Sequence, residues 1–169
     1  MKRITTVAVI ALAQLALVGV AVSPQLSARV TGDDYLVRVA PLDPIDPYRG
    51  AYAALGYPDL RRPVMQGQGA GEDTPVGVMD DGTSGTVYIT LRQAGAVWVG
   101  DTWTRKRPTQ QPYLTCDDHS WQIRCGIESW FVPQDEAAAL ERDLADGAYA
   151  ELRIDSRGHA AVVDVRERP

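Results

Sequence analysis

The residues best equipped for chemistry are crowded between Pro41 and Tyr57. They are Asp43, Asp46, Tyr48, Arg49, Tyr52 and Tyr57, with Pro44 and Pro47 set among them. A further carboxylate, Glu128, lies far downstream in an apolar setting of Ile127, Trp130 and Phe131. Arginine forms charge-assisted bonds with carboxylates, so Arg49 is expected to pair with Asp46 or Glu128. Asp46 and Glu128 together would suit a hydrolase or glycan-active enzyme, which needs two carboxyls at a set separation. The same residues also have an architectural reading. Asp-Pro steps make turns, and a tyrosine buries its ring while its hydroxyl finds a partner. Asp43, Asp46, Arg49, Tyr52, Tyr57 and Glu128 are therefore candidate binding residues, and no catalytic residue is assigned.

Other chemistries find less support. There is no Gly-x-Ser-x-Gly elbow, His-Glu-x-x-His, P-loop or EF-hand pattern, and no cofactor or metal is expected. Gly82-Thr83-Ser84-Gly85 reads as a turn. Asp80-Asp81 and Asp117-Asp118 read as solvated turn acids, with weak extracellular Ca²⁺ binding as the alternative. His119 and His159, the only histidines, read as exposed or structurally satisfied side chains. Trp98, Trp103, Trp121 and Trp130 lie on strand-like segments and suit core or interface packing, with a sugar or peptide platform as the alternative. Cys116 and Cys125 are an even pair without a Cys-x-x-Cys motif. A disulfide between neighbouring strands is the expected state, with free thiols or redox or metal chemistry as alternatives.

These candidates must be positioned by a chain whose beginning states where it works. Ile4–Val22 carries no charge and follows Lys2-Arg3. As a helix this run reaches about 28 Å, close to the hydrocarbon thickness of a bilayer. It is longer than a usual signal core, and its small-residue exits are poor, so an uncleaved single-pass anchor is expected, with a cleaved signal as the alternative. The positive-inside rule puts the N-terminus in the cytoplasm and the rest outside. Residues 1–22 are then the anchor, 23–32 a membrane-exit linker and 33–169 one extracytoplasmic domain. Setting Lys2 and Arg3 aside, 15 basic residues face 22 acidic ones beyond the run, a net −7. That balance argues against nucleic acid and against docking on anionic lipid.

Within the domain the periodicity is mostly two. Strands are expected at 35–39, 52–57, 86–91, 96–103, 113–116, 121–125, 148–155 and 159–165. Arg92–Gly95 should turn one hairpin and Ser156-Arg157-Gly158 another. Arg61–Thr74 reads as a loop. One helix should start near Asp135-Glu136, bury Ala137, Leu140 and Leu144, and close at Gly147. The expected fold is mainly β (α+β): a transmembrane helix, then an antiparallel sheet or partly open barrel with one short helix.

Gly50-Ala51-Tyr52-Ala53-Ala54-Leu55-Gly56-Tyr57 resembles the signature of the GDYXXLXY family, Gly-Asp-Tyr-x-x-Leu-x-Tyr. The lead-in through Pro41, Asp43-Pro44, Asp46-Pro47 and Tyr48-Arg49 matches too. Gly126–Pro133 resembles a second block, Gly-Ile-Glu-x-aromatic-Phe-Val-Pro. The likeness extends over nearly the whole chain, although only these two blocks are specific. Gly32-Asp33-Asp34-Tyr35 is a decoy, since Arg38 stands where Leu is required. The eponymous Asp is Ala51 here, so any chemistry that depends on that carboxylate is missing from this chain. The resemblance implies a membrane-anchored protein, brings no activity or cofactor, and weakly suggests a multi-pass membrane protein as partner. The expected function is a non-enzymatic interaction or scaffold domain, held in the bilayer through residues 4–22.

Overall fold

The structure is a computed structural model that describes residues 2–41, 52–60, 82–120, 123–131, 144 and 147–167. Helix α1 spans Lys2–Thr31. It runs on through the 23–32 stretch expected as a linker, despite Pro24. Proline has no N–H to give the carbonyl four residues back, here that of Val20. Ser23 supplies the donor instead, its hydroxyl 2.9 Å from Val20 O. The helix closes where Gly32 N–H bonds Ala28 O at 2.9 Å.

The strands are β1 (Asp33–Pro41), β2 (Tyr52–Gly56), β3 (Thr86–Ala94), β4 (Val97–Thr104), β5 (Tyr113–Asp117), β6 (Ser129–Phe131), β7 (Ala148–Ile154) and β8 (Ala160–Arg166). All pair antiparallel. One sheet has the order β6-β2-β1-β7-β8 and the other β4-β3-β5. The two wrap a shared core in a partly open, barrel-like arrangement. The fold is mainly β with an N-terminal helix, as the sequence implied.

Alternation decides which side chains meet. Val87, Ile89 and Leu91 of β3 point inward, as do Ala148, Ala150, Leu152 and Ile154 of β7, because successive residues of a strand face opposite ways. Tyr35 meets Trp98 edge-on, ring centroids 5.1 Å apart, and links the two sheets. Trp98, Trp103 and Trp130 all pack against the core, which is the bland reading of the tryptophans; Trp121 lies outside the described residues.

The β3–β4 hairpin is tighter than expected. Arg92–Ala94 belong to β3, and the turn is Gly95-Ala96, with Gly95 at φ +68°. Strand β5 continues to Asp117, which bridges Arg124, and Cys116 and Cys125 form the disulfide. Of the helix expected from Asp135, only its end is described: Leu144 is helical and buried, and Gly147, at φ +94°, bonds back to its carbonyl. The 61–74 loop and Asp80-Asp81 lie outside the described residues.

Two tests follow from this packing. A Cβ on Gly32 would lie 2.4 Å from Ala28 O and 2.8 Å from Ile154 N, both backbone atoms. Gly32→Ala should therefore lower unfolding stability by about 2–4 kcal/mol in urea titrations of the full chain in detergent. Replacing Cys116 and Cys125 by Ser should cost about 2–3 kcal/mol in the same titration, because the short loop they close is released in the unfolded state.

Candidate functional site

Of the candidate residues, Asp43, Asp46 and Arg49 lie outside the described residues, as does the side chain of Tyr52. Tyr57 and Glu128 are described and come together. Strand β2 pairs with β6, Ala54 opposite Ser129, and Leu55 N–H bonds Glu128 O at 2.9 Å. The Tyr57 hydroxyl donates to Ile127 O at 2.6 Å. Burial of the phenol, helped by the nearby Glu128 charge, pushes its pKa well up. Leu55 and Ile127 are both buried. The two blocks that carry the family likeness thus pack against each other.

Glu128 does not sit as a free acid or base. Its carboxylate accepts the N–H groups of Cys125 and Gly126, the latter at 3.1 Å. It caps the turn that follows the disulfide, where Gly126 takes φ +80°. Gly126 O in turn accepts from Gln25 Nε2 of the helix at 2.9 Å. One continuous path therefore leads from β2 through Ile127 and Glu128 to the end of α1.

A second cluster fastens the same helix end. Asp155, 2 % exposed, follows β7. Its Oδ1 accepts Arg157 N–H at 2.8 Å and His159 N–H at 3.0 Å. Its Oδ2 accepts the Ser27 hydroxyl at 2.5 Å and meets His159 Nδ1 at 3.1 Å. Around it, Arg29 Nη2 bonds Val162 O at 3.2 Å, Arg153 Nη1 bonds Arg29 O at 2.5 Å, and Ala28 is fully buried. Burial alone would raise the Asp155 carboxyl, but the bonds from Ser27, Arg157 and His159 outweigh it and hold the pKa below the usual aspartate value. Ser, Asp and His are thus adjacent, yet the order is wrong for a nucleophile. The hydroxyl donates to the carboxylate, whereas an activated serine gives its proton to an imidazole.

Asp118 is the other buried carboxylate among the described residues, and here the solvated-acid expectation fails. Its side chain is fully buried and takes both Arg105 Nη atoms at 2.7 Å each, with Gly85 N–H at 2.7 Å. A buried charge persists only when paired and hydrogen-bonded, and this one joins the 82–85 turn to the end of β4 and the end of β5. Asp117, by contrast, is exposed; His119 N–H and Nδ1 bond it and lower its pKa. Among the described residues, no three His, Cys, Asp or Glu side chains converge where a metal could sit.

Asp155, Asp118, Ser27 and Arg105 were missed in the sequence. One signal was available: Asp155-Ser156-Arg157-Gly158 is a stretch in which Asp can bond the N–H two residues on.

These features define a class: an antiparallel β domain fastened side-on to the end of a long apolar helix by buried polar bonds. The chain belongs to the GDYXXLXY family, whose model, described as GDYXXLXY protein, matches residues 14–165. That match begins inside α1. No curated protein and no solved structure matches the chain.

The Asp155 cluster predicts acid lability. A carboxyl whose folded pKa is depressed adds stability that is present above the unfolded value, near 4, and lost as pH falls through the folded one. Unfolding free energy should hold steady from neutral pH down to about 4 and then decline. Asp155→Asn should be less stable at pH 7 and show a shallower acid decline, read by urea titration across pH. An unchanged acid profile would remove Asp155 as its source.

Proposed function

We propose that this protein is a membrane-tethered, non-enzymatic interaction domain, anchored by α1 and displayed on the extracytoplasmic side. The observation that carries this reading is the join between helix and domain. The apolar run passes without a break into Gln25, Ser27, Ala28 and Arg29, and each of these touches or packs against the β domain. Processing after Ala28 would cut away Ser27, a partner of buried Asp155, whereas processing after Ala21 would leave every one of these contacts. The Cys116–Cys125 disulfide favours an oxidising compartment.

The binding surface assigned to this domain is the stretch from Asp43 to Tyr57, with Glu128 and Tyr57 as its support. Chain leaves β1 at Pro41 and enters β2 at Tyr52. Strand β1 begins at Asp33 beside the helix, so this connection starts at the other end of β1, about 26 Å along the strand. In this reading Asp43, Asp46 and Arg49 are the polar recognition residues and Tyr52 the aromatic one. A multi-pass membrane protein or another envelope component is the partner in this reading. An enzymatic role draws less support, because Glu128 is already committed to two backbone N–H groups.

Detergent co-purification tests the proposal. The wild-type chain should remain with membranes at high salt and alkaline pH and should recover a reproducible partner. Arg49→Ala and Tyr52→Ala should lose most of that partner while staying membrane-bound. Equal recovery by the variants would count against the surface, and release of the wild-type chain into the soluble fraction against the anchor.

A further inference from the structure

The domain's net charge conceals a local excess of the opposite sign where the helix enters. Arg29 lies in the last turn of α1, exposed, and its guanidinium bonds only Val162 O at 3.2 Å. Arg157 lies in the β7–β8 turn, its side chain 58 % exposed, with Nη2 on Ser27 Oγ at 3.2 Å. Arg107 is exposed and bonds Ser156 O at 3.3 Å and Tyr113 Oη at 2.7 Å. The three are therefore neighbours: Arg107 holds the carbonyl next to Arg157, and Arg157 holds the serine two residues before Arg29. Among the described residues, Arg29 and Arg107 have only neutral oxygens as partners. Arg157 has one carboxylate within reach, Asp155 at 3.8 Å, and that group already serves Ser27 and His159. Arg153 also touches the helix, but Asp34 neutralises it at 2.9 Å, so it does not add to the excess; Asp33, exposed just after Gly32, and Asp155, whose charge also acts on Arg107, offset part of it.

The level of this cluster along the helix is set by geometry. Contacts with the domain begin at Gln25, about 4–5 Å beyond Val22 at the helical rise, and Arg29 is about 10 Å beyond it. A headgroup layer is roughly 5–8 Å deep on each side of the hydrocarbon. Val22, Leu26 and Val30 recur at every fourth position and stay exposed, 51 %, 58 % and 69 %. One face of α1 thus remains apolar to its end while the other docks the domain, so with the apolar run in a bilayer the arginine side chains would reach back to the outer edge of the headgroup layer. Arginine extends its apolar stem and keeps its charge at such a boundary, and its planar fork suits phosphate oxygens.

We propose that Arg29, Arg107 and Arg157 form a collar that binds anionic phospholipid headgroups and seats the domain against the bilayer. The collar rests on the anchored reading of α1. It also revises the expectation from net charge, since a domain with a total of −7 still carries three arginines where the helix enters it.

Spin-labelled lipids give the test, using the full chain in bilayers of phosphatidylcholine mixed with phosphatidylglycerol. The wild type should select labelled phosphatidylglycerol over labelled phosphatidylcholine about threefold in the motionally restricted shell, and less at high salt. The R29Q/R107Q/R157Q variant keeps Lys2 and Arg3, so it should lose that part of the selectivity which the collar supplies. R29K/R107K/R157K keeps the charges and should retain most of it, which separates headgroup binding from damage to the fold. No selectivity in the wild type, or equal selectivity in the wild type and the glutamine variant, would overturn the collar. Absence of any restricted lipid shell would instead overturn the anchor itself.

Discussion

A buried carboxylate sets the terms for this structure. Asp155 has almost no contact with water, and an ionised group in that position is tolerated only if its oxygens are filled by donors. The donors come from three places: Ser27 on the helix, Arg157 in the turn, and His159, through its N–H and its ring, just before β8. Their shared acceptor ties the β7–β8 turn to the helix. At the same join Gly32 lies so close to Ala28 and Ile154 that a Cβ would meet backbone atoms. The helix is consequently joined to the domain by more than the single peptide that follows it.

Further bonds extend the join. Gln25 holds Gly126, whose neighbours Ile127 and Glu128 hold Tyr57 and Leu55. The disulfide and the Glu128 cap shape the same turn from either side. Asp118 performs a comparable task in the smaller sheet, where Arg105 and Gly85 converge on it. Gln25, Tyr57, Asp118 and Asp155 sit where chain segments distant in sequence meet, whereas the Glu128 carboxylate caps its own turn. Apolar burial drives the collapse but is indifferent to direction; hydrogen-bonded carboxylates supply geometric specificity at the joints. In this account Tyr57 and Glu128 serve to fasten β2 to the path toward the helix.

How much of this was legible depended on range. The strands were readable because alternation is local: Val87, Ile89 and Leu91 announce an inward face on their own. The Cys116–Cys125 bridge followed from count and compartment. The start of the β3–β4 turn falls three residues later than expected, since Arg92, Gln93 and Ala94 carry no mark that separates the end of a strand from a loop. The sequence bounds the anchor at Val22 because the uncharged apolar run of Ile4–Val22 ends there, yet the helix continues to Thr31. What keeps it going is one hydroxyl supplying the bond that proline withholds, a compensation visible only in three dimensions. The burial of Asp118 and Asp155 is hidden for the same reason: the Asp155–Gly158 stretch marks a turn, but an aspartate next to His119 or Ser156 looks solvated until its partner, Arg105 or Ser27, arrives from elsewhere in the chain.

Ala51 bears on what the signature is for. If the eponymous aspartate carried out chemistry, its loss should leave the remaining signature residues without a shared task. Yet Leu55 and Tyr57 retain structural roles here that do not involve residue 51: one is in the core, the other bonds Ile127 O. Glu128 in the second block is likewise satisfied by its own turn. Leu55 and Tyr57 thus hold β2 against the 126–128 turn in a chain with Ala51 in place of the eponymous aspartate, so that join, and the path from it to the helix, does not depend on the missing carboxylate.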